Sequence, residues 1–124
     1  MRISVVALGV FLLLGSLASA QDVMRPSEVG ADQVGKKIAV EGRIYSNAKT
    51  GAGVHLYFGA DTSTAFQAII AANSLYKFKV DVEKKFNRRN VRVTGEVEEE
   101  QGKHFIRITE PKQIKVVARK RKTS

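Results

Sequence analysis

The sequence lacks cysteine and tryptophan altogether, and it has only two histidines and two prolines in 124 residues. Because there is no cysteine, disulfides, thiolate catalysis and thiolate metal sites are all excluded. The two histidines, His55 and His104, show neither His-x-x-x-His nor His-Glu-x-x-His spacing, so a zinc site lacks ligands. The sequence therefore predicts a fold held by its apolar core alone, with no metal site.

Motifs of catalysis are missing as well. The chain has no Gly-x-Ser-x-Gly nucleophile elbow and no glycine-rich phosphate loop that ends in Lys-Ser or Lys-Thr. These absences remove the sequence signatures of α/β-hydrolases and of P-loop nucleotide-binding proteins. We therefore expect a protein that binds without catalysing a reaction, and that uses no cofactor.

Long apolar runs are absent except near the N-terminus. Arg2 precedes an apolar run over residues 4–14, which is too short to span a bilayer comfortably. Ala18 and Ala20 then supply the small residues of an Ala-x-Ala cleavage site. This layout predicts a secretory signal peptide over residues 1–20 and an exported protein, periplasmic or secreted, with no transmembrane segment after cleavage. An uncleaved membrane anchor is the alternative.

Positive charge is in excess, since 21 Lys and Arg stand against 12 Asp and Glu and give a net charge of +9. Residues 119 to 122 are all basic, in a C-terminal segment without an apolar pattern. We expect residues 118–124 to form a basic, disordered tail. Two interpretations of its charge stay open: it attracts nucleic acid or another polyanion, or it is a solvated end with no binding role.

Alternation of apolar and polar residues occurs in two similar segments, IAVEGRI at 38–44 and VRVTGEV at 91–97. Each segment predicts a strand with one buried face. In both segments the third inward position is a glycine, Gly42 or Gly95, which predicts a bulge or a bend. Two bent strands with shorter strands around them predict a small barrel, in which the glycines let these strands coil.

The rest of the chain extends this pattern. Predicted strands cover residues 37–46, 54–58, 65–70, 90–98 and 104–109, and a last extended piece over residues 114–117 closes the domain. Between the third and fourth strands the alternation gives way to helical spacing, with Leu75, Phe78 and Phe86 on the apolar side. The predicted fold is all-β with one short helix: a five-stranded OB-fold Greek-key barrel over residues 35–117, preceded by a polar lead-in over 21–34.

Four segments resemble a known class of domain. Residues 35–44, 55–59, and 91–95 with 106–114 are similar to the opening strand, the second strand and the closing half, respectively, of bacterial exported OB-fold domains of the nucleic-acid-binding, tRNA-anticodon-binding-like type. The resemblance implies the OB fold and a binding face on the second and third strands. One departure lies at residues 87–90 (NRRN), where such domains usually have a glycine. We expect an asparagine to adopt the positive φ there.

A binding face follows from this fold, because OB-folds bind ligands across the second and third strands and the adjoining loops. Single-stranded nucleic acid is held by aromatic side chains that stack on bases and by basic groups that meet phosphates. The predicted partner is single-stranded nucleic acid, bound non-specifically by a monomer. The predicted nucleic-acid-binding residues are Arg43, Tyr45, Lys49, His55, Tyr57, Gln67 and Lys103.

Other interpretations stay open beside this one. The same face suits a protein or an oligosaccharide of the cell envelope, and the run of acids at 98–100 would repel phosphates at one end. A remote alternative is a calcium-dependent nuclease-like barrel, with Asp61, Asp81 and Glu83 as ligands and Arg43 or Arg92 on the phosphate. The dense basic segment at 84–89 is interpreted as a solvated surface, with an extension of a nucleic-acid track as the less favoured alternative.

Overall fold

The computed structural model describes residues 23–118, so the predicted signal peptide at 1–20 and tail residues 119–124 lie outside the described residues. The strands are β1 (Val23–Met24), β2 (Lys37–Arg43), β3 (Ser46–Thr50), β4 (Gly53–Tyr57), β5 (Gln67–Ala71), β6 (Asn90–Glu100), β7 (Lys103–Ile108) and β8 (Ile114–Val116). One α-helix, α1 (Val82–Phe86), and short 3-10 helices at Pro26–Glu28, Ala31–Gln33, Ala72–Lys77 and Pro111–Gln113 complete the described part. Between residues 23 and 118, no helix is long and apolar enough to cross a membrane.

The strands form one mixed sheet in the order β1-β2-β6-β7-β5-β4-β3, with β8 paired to β6. The β1–β2 and β5–β7 pairs are parallel, and the other pairs are antiparallel. The mostly β architecture expected from the alternation is therefore confirmed. The described residues contain eight strands where five were predicted, because a break at Ile44 and Tyr45 divides the first predicted strand into β2 and β3, and because β1 and β8 add short pieces.

Core residues occupy alternate positions of β4 and β6, whereas every residue of β5 is buried. Val54 and Leu56 in β4, like Val91 and Val93 in β6, are at most 1% exposed. Their neighbours at the intervening positions face outward, which is the period of two that sheet geometry imposes. Phe86 of α1 joins the same core cluster, so the short helix buries an apolar side against the sheet as its spacing predicts.

At the two repeated glycines the β2–β6 ladder has no bulge, neighbouring side chains approach closely, and the predicted bend stays a prediction. Neither Gly42 nor Gly95 has a positive φ, and both are paired within the β2–β6 ladder. A Cβ on Gly42 would lie 2.6 Å from Cγ of Pro26, and a Cβ on Gly95 would lie 2.6 Å from Cγ2 of Ile106. These glycines therefore allow close packing of neighbouring side chains, because distances that short leave no space for a methyl group.

Pro26 on Gly42 shows that the lead-in packs on the sheet. Val23 and Met24 pair in parallel with β2, opposite Ala39 and Val40. Val29, farther along the lead-in, packs against the core cluster. The segment predicted as a polar lead-in thus adds a strand and two helical turns to the same folded unit.

Left-handed backbone conformations occur at two turns of the β6 region. Before β6, Arg88 has φ of 60°, so the residue with positive φ is an arginine and the predicted asparagine is wrong. After β6, Gln101 and Gly102 have φ of 53° and 78° and connect β6 to β7 directly. Positive φ at both central residues is the signature of a type I′ hairpin turn.

Gln113 connects β6, β7 and the turn that follows β7 through its side-chain amide. Its oxygen accepts hydrogen bonds from the backbone nitrogens of Thr109 and Glu110, at 2.8 and 3.0 Å. Its nitrogen donates to the carbonyl oxygens of Thr94 and Arg107, at 3.1 and 3.2 Å. The amide therefore joins β6 to the end of β7, where their own ladder stops.

Replacing Gln113 by leucine is expected to lower the free energy of unfolding by about 1–3 kcal/mol, because two backbone N–H groups lose their acceptor. Urea denaturation checks this. Lys112→Leu, an exposed change in the same turn, is the control and is expected to stay within about 0.5 kcal/mol of wild type. Equal effects of the two substitutions would show that the hydrogen bonds of the Gln113 amide do not stabilise the fold.

Candidate nucleic-acid interface

The outward positions of β4, β5 and β7 lie on one side of the sheet, where Gln67, Ile69 and Phe105 are nevertheless at most 6% exposed. Residues directly opposite each other on neighbouring strands project from the same side of a sheet, and Val54, Leu56, Ala68 and Ile70 take the inner side. Two cross-strand rows result, Tyr57–Gln67–Phe105 and His55–Ile69–Arg107. We call these six residues the outer face.

His55 is fixed in the outer face by two hydrogen bonds. Its Nδ1 lies 2.8 Å from Oε1 of Gln67, and its Nε2 lies 2.8 Å from Oγ1 of Thr50. An amide oxygen only accepts, so these partners assign the proton of the neutral ring to Nδ1, and Nε2 accepts from the threonine hydroxyl. Ala52 holds that hydroxyl in turn by donating its N–H, at 3.1 Å.

The imidazole fixed in this way stacks beside Tyr57. The two ring centroids are 6.2 Å apart and the planes differ by 16°. Both rings are partly exposed, so the pair presents aromatic surface to solvent. A planar, oriented aromatic surface is what a nucleobase or the apolar side of a sugar ring stacks on.

A depression of about 150 Å³ lies next to this aromatic pair. Ile69 and Phe105, which are 6% and 4% exposed, contribute apolar surface to it. His55, Gln67, Glu100, Gln101 and Lys103 complete its lining. The depression therefore combines apolar surface with polar groups, which is the composition of a small ligand site.

Charge on the outer face is nearly balanced toward the β6–β7 hairpin. Arg107 lies over the Phe105 ring, with 5.3 Å from Cζ to the ring centroid, and its Nη2 is 3.3 Å from Oε1 of Glu98. Glu100 and Lys103 both line the depression. Acids therefore offset the basic groups at this end, so a phosphate gains little there.

The structure brings some of the predicted binding residues together. His55, Tyr57 and Gln67 share the outer face, and Lys103 lies at the rim of the depression. Lys49 does not join them, because it pairs with Val54 and so projects from the opposite side of the sheet. It was predicted in a loop, but the structure continues β3 through that position.

The other two predicted residues lie beside the break between β2 and β3. Tyr45 is 47% exposed and donates its backbone N–H to the carbonyl of Tyr57, at 2.8 Å. Arg43 ends β2, opposite Asn90 of β6. Both are next to the outer face along the chain, but neither lines the depression.

Sequence reasoning missed Ile69, Phe105 and Thr50. The signal for Phe105 was present, because alternation along the fifth predicted strand places it outward beside Arg107. Thr50 carried no such signal, since its contact with His55 depends on the β3–β4 register.

Two of the three acids proposed for a calcium site have other roles here. Asp61 accepts hydrogen bonds from the hydroxyl and the N–H of Ser63, which lower the pKa of its carboxyl group. Asp81 caps α1 by accepting from the N–H groups of Glu83 and Lys84. Within the described residues, no three His, Cys, Asp or Glu side chains are grouped so that they could hold a metal ion.

Arg92, an arginine proposed for phosphate contact in the nuclease alternative, is also engaged. Its Nε lies 2.8 Å from Oε2 of Glu41 across the β2–β6 pair. The geometry therefore offers no support for the nuclease alternative.

Comparisons with known proteins add the fold. No family model and no curated protein matches this sequence. Among solved structures, asparaginyl-tRNA synthetase from Pyrococcus horikoshii is 22% identical with a TM-score of 0.55, covering 76% of this chain and 22% of the synthetase. Aspartyl-tRNA synthetase from Entamoeba histolytica is 14% identical with a TM-score of 0.55, covering 88% of this chain and 24% of the synthetase.

A third similar structure is an OBody bound to hen egg-white lysozyme. It is 17% identical with a TM-score of 0.57, and the match covers 81% of this chain and 94% of the OBody. The chain thus spans about a quarter or less of the synthetases but nearly all of the OBody. At these identities the likeness shows an OB-fold-like architecture.

Proposed function

We propose that this protein is an OB-fold module that binds single-stranded nucleic acid, without sequence preference, on the outer face. The observation that carries the proposal is the oriented His55–Tyr57 pair beside the depression. Bases stack on the aromatic pair, and phosphates meet basic groups around it. The two synthetases with a similar fold are enzymes whose names specify tRNA, which supports a nucleic acid as the ligand class.

We also propose that the described strands form the five-stranded barrel of an OB-fold. β2 and β3 act as two halves of one first strand, and β4, β5, β6 and β7 as the second to fifth strands. The sheet path begins with β1 and β2 and ends with β3. Because only Ile44 and Tyr45 separate β2 from β3, this order supports a sheet that closes as a barrel. The 3-10 helix Ala72–Lys77 and α1 then lie between the third and fourth strands.

We further propose that the protein is exported and binds its ligand as a monomer. Residues 1–20 direct export, and the mature protein acts as a monomer without catalysis, metal or cofactor. The Ala-x-Ala pattern and the absence of cysteine in the sequence support this part.

A titration of a labelled oligothymidylate with the full chain at low salt tests the proposal. We expect saturable binding, followed by fluorescence anisotropy, and we expect a variant that lacks residues 119–124 to keep most of it. Loss of all binding on that deletion would assign the activity to the tail, and absence of binding by the full chain would overturn the proposal.

A protein or glycan of the cell envelope is the second candidate partner. The OBody with a similar fold binds lysozyme, a protein, and acids at the β6–β7 hairpin reduce the attraction for phosphates. A ligand of this class binds through neutral contacts, so its affinity would change little with salt. Salt dependence therefore separates the two candidates.

A further inference from the structure

We propose that a bound strand leaves the outer face across the β2–β3 break and continues onto a separate phosphate-binding surface beside α1. We call this surface the basic turn and define it by Lys84, Lys85, Arg88 and Arg89. This inference rests on the proposed function and specifies where the bound strand leaves the outer face. It also gives a role to basic residues that the outer face does not use.

Short backbone contacts connect the two surfaces. Tyr45 donates its N–H to the carbonyl of Tyr57, at 2.8 Å, and so places the break against the aromatic pair. The preceding residue, Ile44, donates its N–H to the carbonyl of Arg89, at 2.9 Å. The break therefore touches the outer face on one side and the basic turn on the other.

A side-chain contact holds the basic turn against β3. Nδ2 of Asn47 donates to the carbonyl of Glu83, at 3.2 Å, which ties α1 to the strand that follows the break. Asn90 directly follows the basic turn in sequence, and it lies opposite Arg43 in the β2–β6 ladder. Arg43 and Tyr45, which the depression leaves out, thus lie between the two surfaces.

The charges of the basic turn are available to a ligand. All four of its side chains are exposed, and none forms an ion pair with another residue between 23 and 118. Acidic neighbours at this end are few: Asp81 caps α1, and Glu83 is partly buried. Unpaired basic groups at this density attract phosphates and release counterions when they bind them.

Backbone strain at Arg88 points the same way. Its φ of 60° is left-handed, a conformation that costs an ordinary residue about 1–2 kcal/mol and that glycine adopts freely. A side chain held at a strained position is a signal of function when the surroundings maintain it. Here the side chain is a guanidinium, which suits phosphate contacts.

Charge also decides at which end the bound strand leaves the outer face. At the opposite end of the outer face, Glu98 pairs with Arg107, and Glu100 lines the depression. Phosphates gain little there because acids offset the basic groups, whereas the basic turn attracts them, so the exit across the β2–β3 break is favoured.

The test compares two probe lengths. Oligothymidylates of about 4 and about 16 nucleotides, the range of OB-fold site sizes, are titrated at several salt concentrations. The test variant carries Lys84→Gln, Lys85→Gln, Arg88→Gln and Arg89→Gln. The control variant loses the same charge elsewhere on the exposed surface, through Lys36→Gln, Lys37→Gln, Lys112→Gln and Lys115→Gln.

In the test variant the long probe is expected to bind more weakly, with a salt slope smaller by about 0.7 for each phosphate that the protein no longer neutralises. The short probe is expected to bind as it does to wild type, and the control variant is expected to keep the wild-type slope for the long probe. A Lys84→Gln, Lys85→Gln double variant, which leaves the Arg88 turn intact, is expected to show a smaller change in the same direction.

Three outcomes would overturn the inference. The first is a wild-type salt slope for the long probe in the test variant, and the second is an equal loss in the control variant. The third is normal binding of both probes with loss of binding to vesicles of anionic phospholipid, which would make the basic turn a lipid site. In each case, if the wild-type protein still binds the short probe, the proposed function stands and only the inference about the basic turn fails. If the wild-type protein does not bind the short probe, both the proposed function and the inference fail.

Discussion

Gly53→Ala is expected to lower the free energy of unfolding by about 3 kcal/mol or more. Gly53 has φ of +140°, and a Cβ added there would lie 1.9 Å from the carbonyl oxygen of Ile70. Backbone strain at such a φ costs about 1–3 kcal/mol, and forcing an atom into a filled site costs about as much again. The obstacle is backbone of the neighbouring strand, so no side-chain rotation relieves it. Urea denaturation measures the change.

Gly51→Ala in the same turn is the matched control. Gly51 does not have a positive φ, and a Cβ there has no atom within 4 Å. The substitution is expected to leave stability unchanged or to raise it by up to about 1 kcal/mol, because alanine restricts the unfolded chain. If the two variants unfold at the same urea concentration, the β4–β5 register that places Gly53 against the backbone of Ile70 is wrong.

This turn also bears on binding. Thr50 and His55 lie on either side of it and contact each other, so a shift of the turn moves the histidine of the outer face. Gly53→Ala is therefore expected to weaken oligonucleotide binding as well as folding, whereas Gly51→Ala leaves both intact.

Tyr57→Ala is expected to weaken oligonucleotide binding about 5- to 150-fold at fixed salt, which corresponds to the roughly 1–3 kcal/mol of one stacked base. The substitution removes the partner of the His55 ring but no charge. Fluorescence anisotropy with the short oligothymidylate measures the change, and thermal unfolding confirms that the variant is folded.

Tyr76→Ala is the control for the removal of a tyrosine. Tyr76 is 76% exposed and lies on the 3-10 helix Ala72–Lys77, outside the outer face. Its removal is expected to leave the Kd unchanged. A folded Tyr57→Ala variant with the wild-type Kd, or an equal loss in the two variants, would move the site away from the outer face.

Much of the fold was predictable because alternation is a local property. Residues 91–97 repeat apolar and polar types with a period of two, and the structure buries Val91, Val93 and Val97 as that pattern requires. His55 and Tyr57 were placed outward by the same rule. Their joint position on β4 needed no knowledge of any other strand.

Features that depend on distant parts of the chain could not be predicted. The role of Gly42 requires Pro26 to lie on it, and nothing near Gly42 in sequence indicates that contact. Lys49 was placed in a loop because two glycines follow it, whereas the β3–β4 pairing extends through it and turns it away. The contact between the β2–β3 break and Arg89 likewise exists only after the sheet is assembled.

The most direct test of the account is the salt dependence of oligothymidylate binding to the full chain. If the protein binds single-stranded nucleic acid, the logarithm of the association constant should fall linearly with the logarithm of salt concentration, with a slope of about −0.7 for each phosphate engaged. Tyr57→Ala should lower that line without changing its slope, because stacking involves no counterions. Binding that is absent at low salt, or that is independent of salt, would contradict the account.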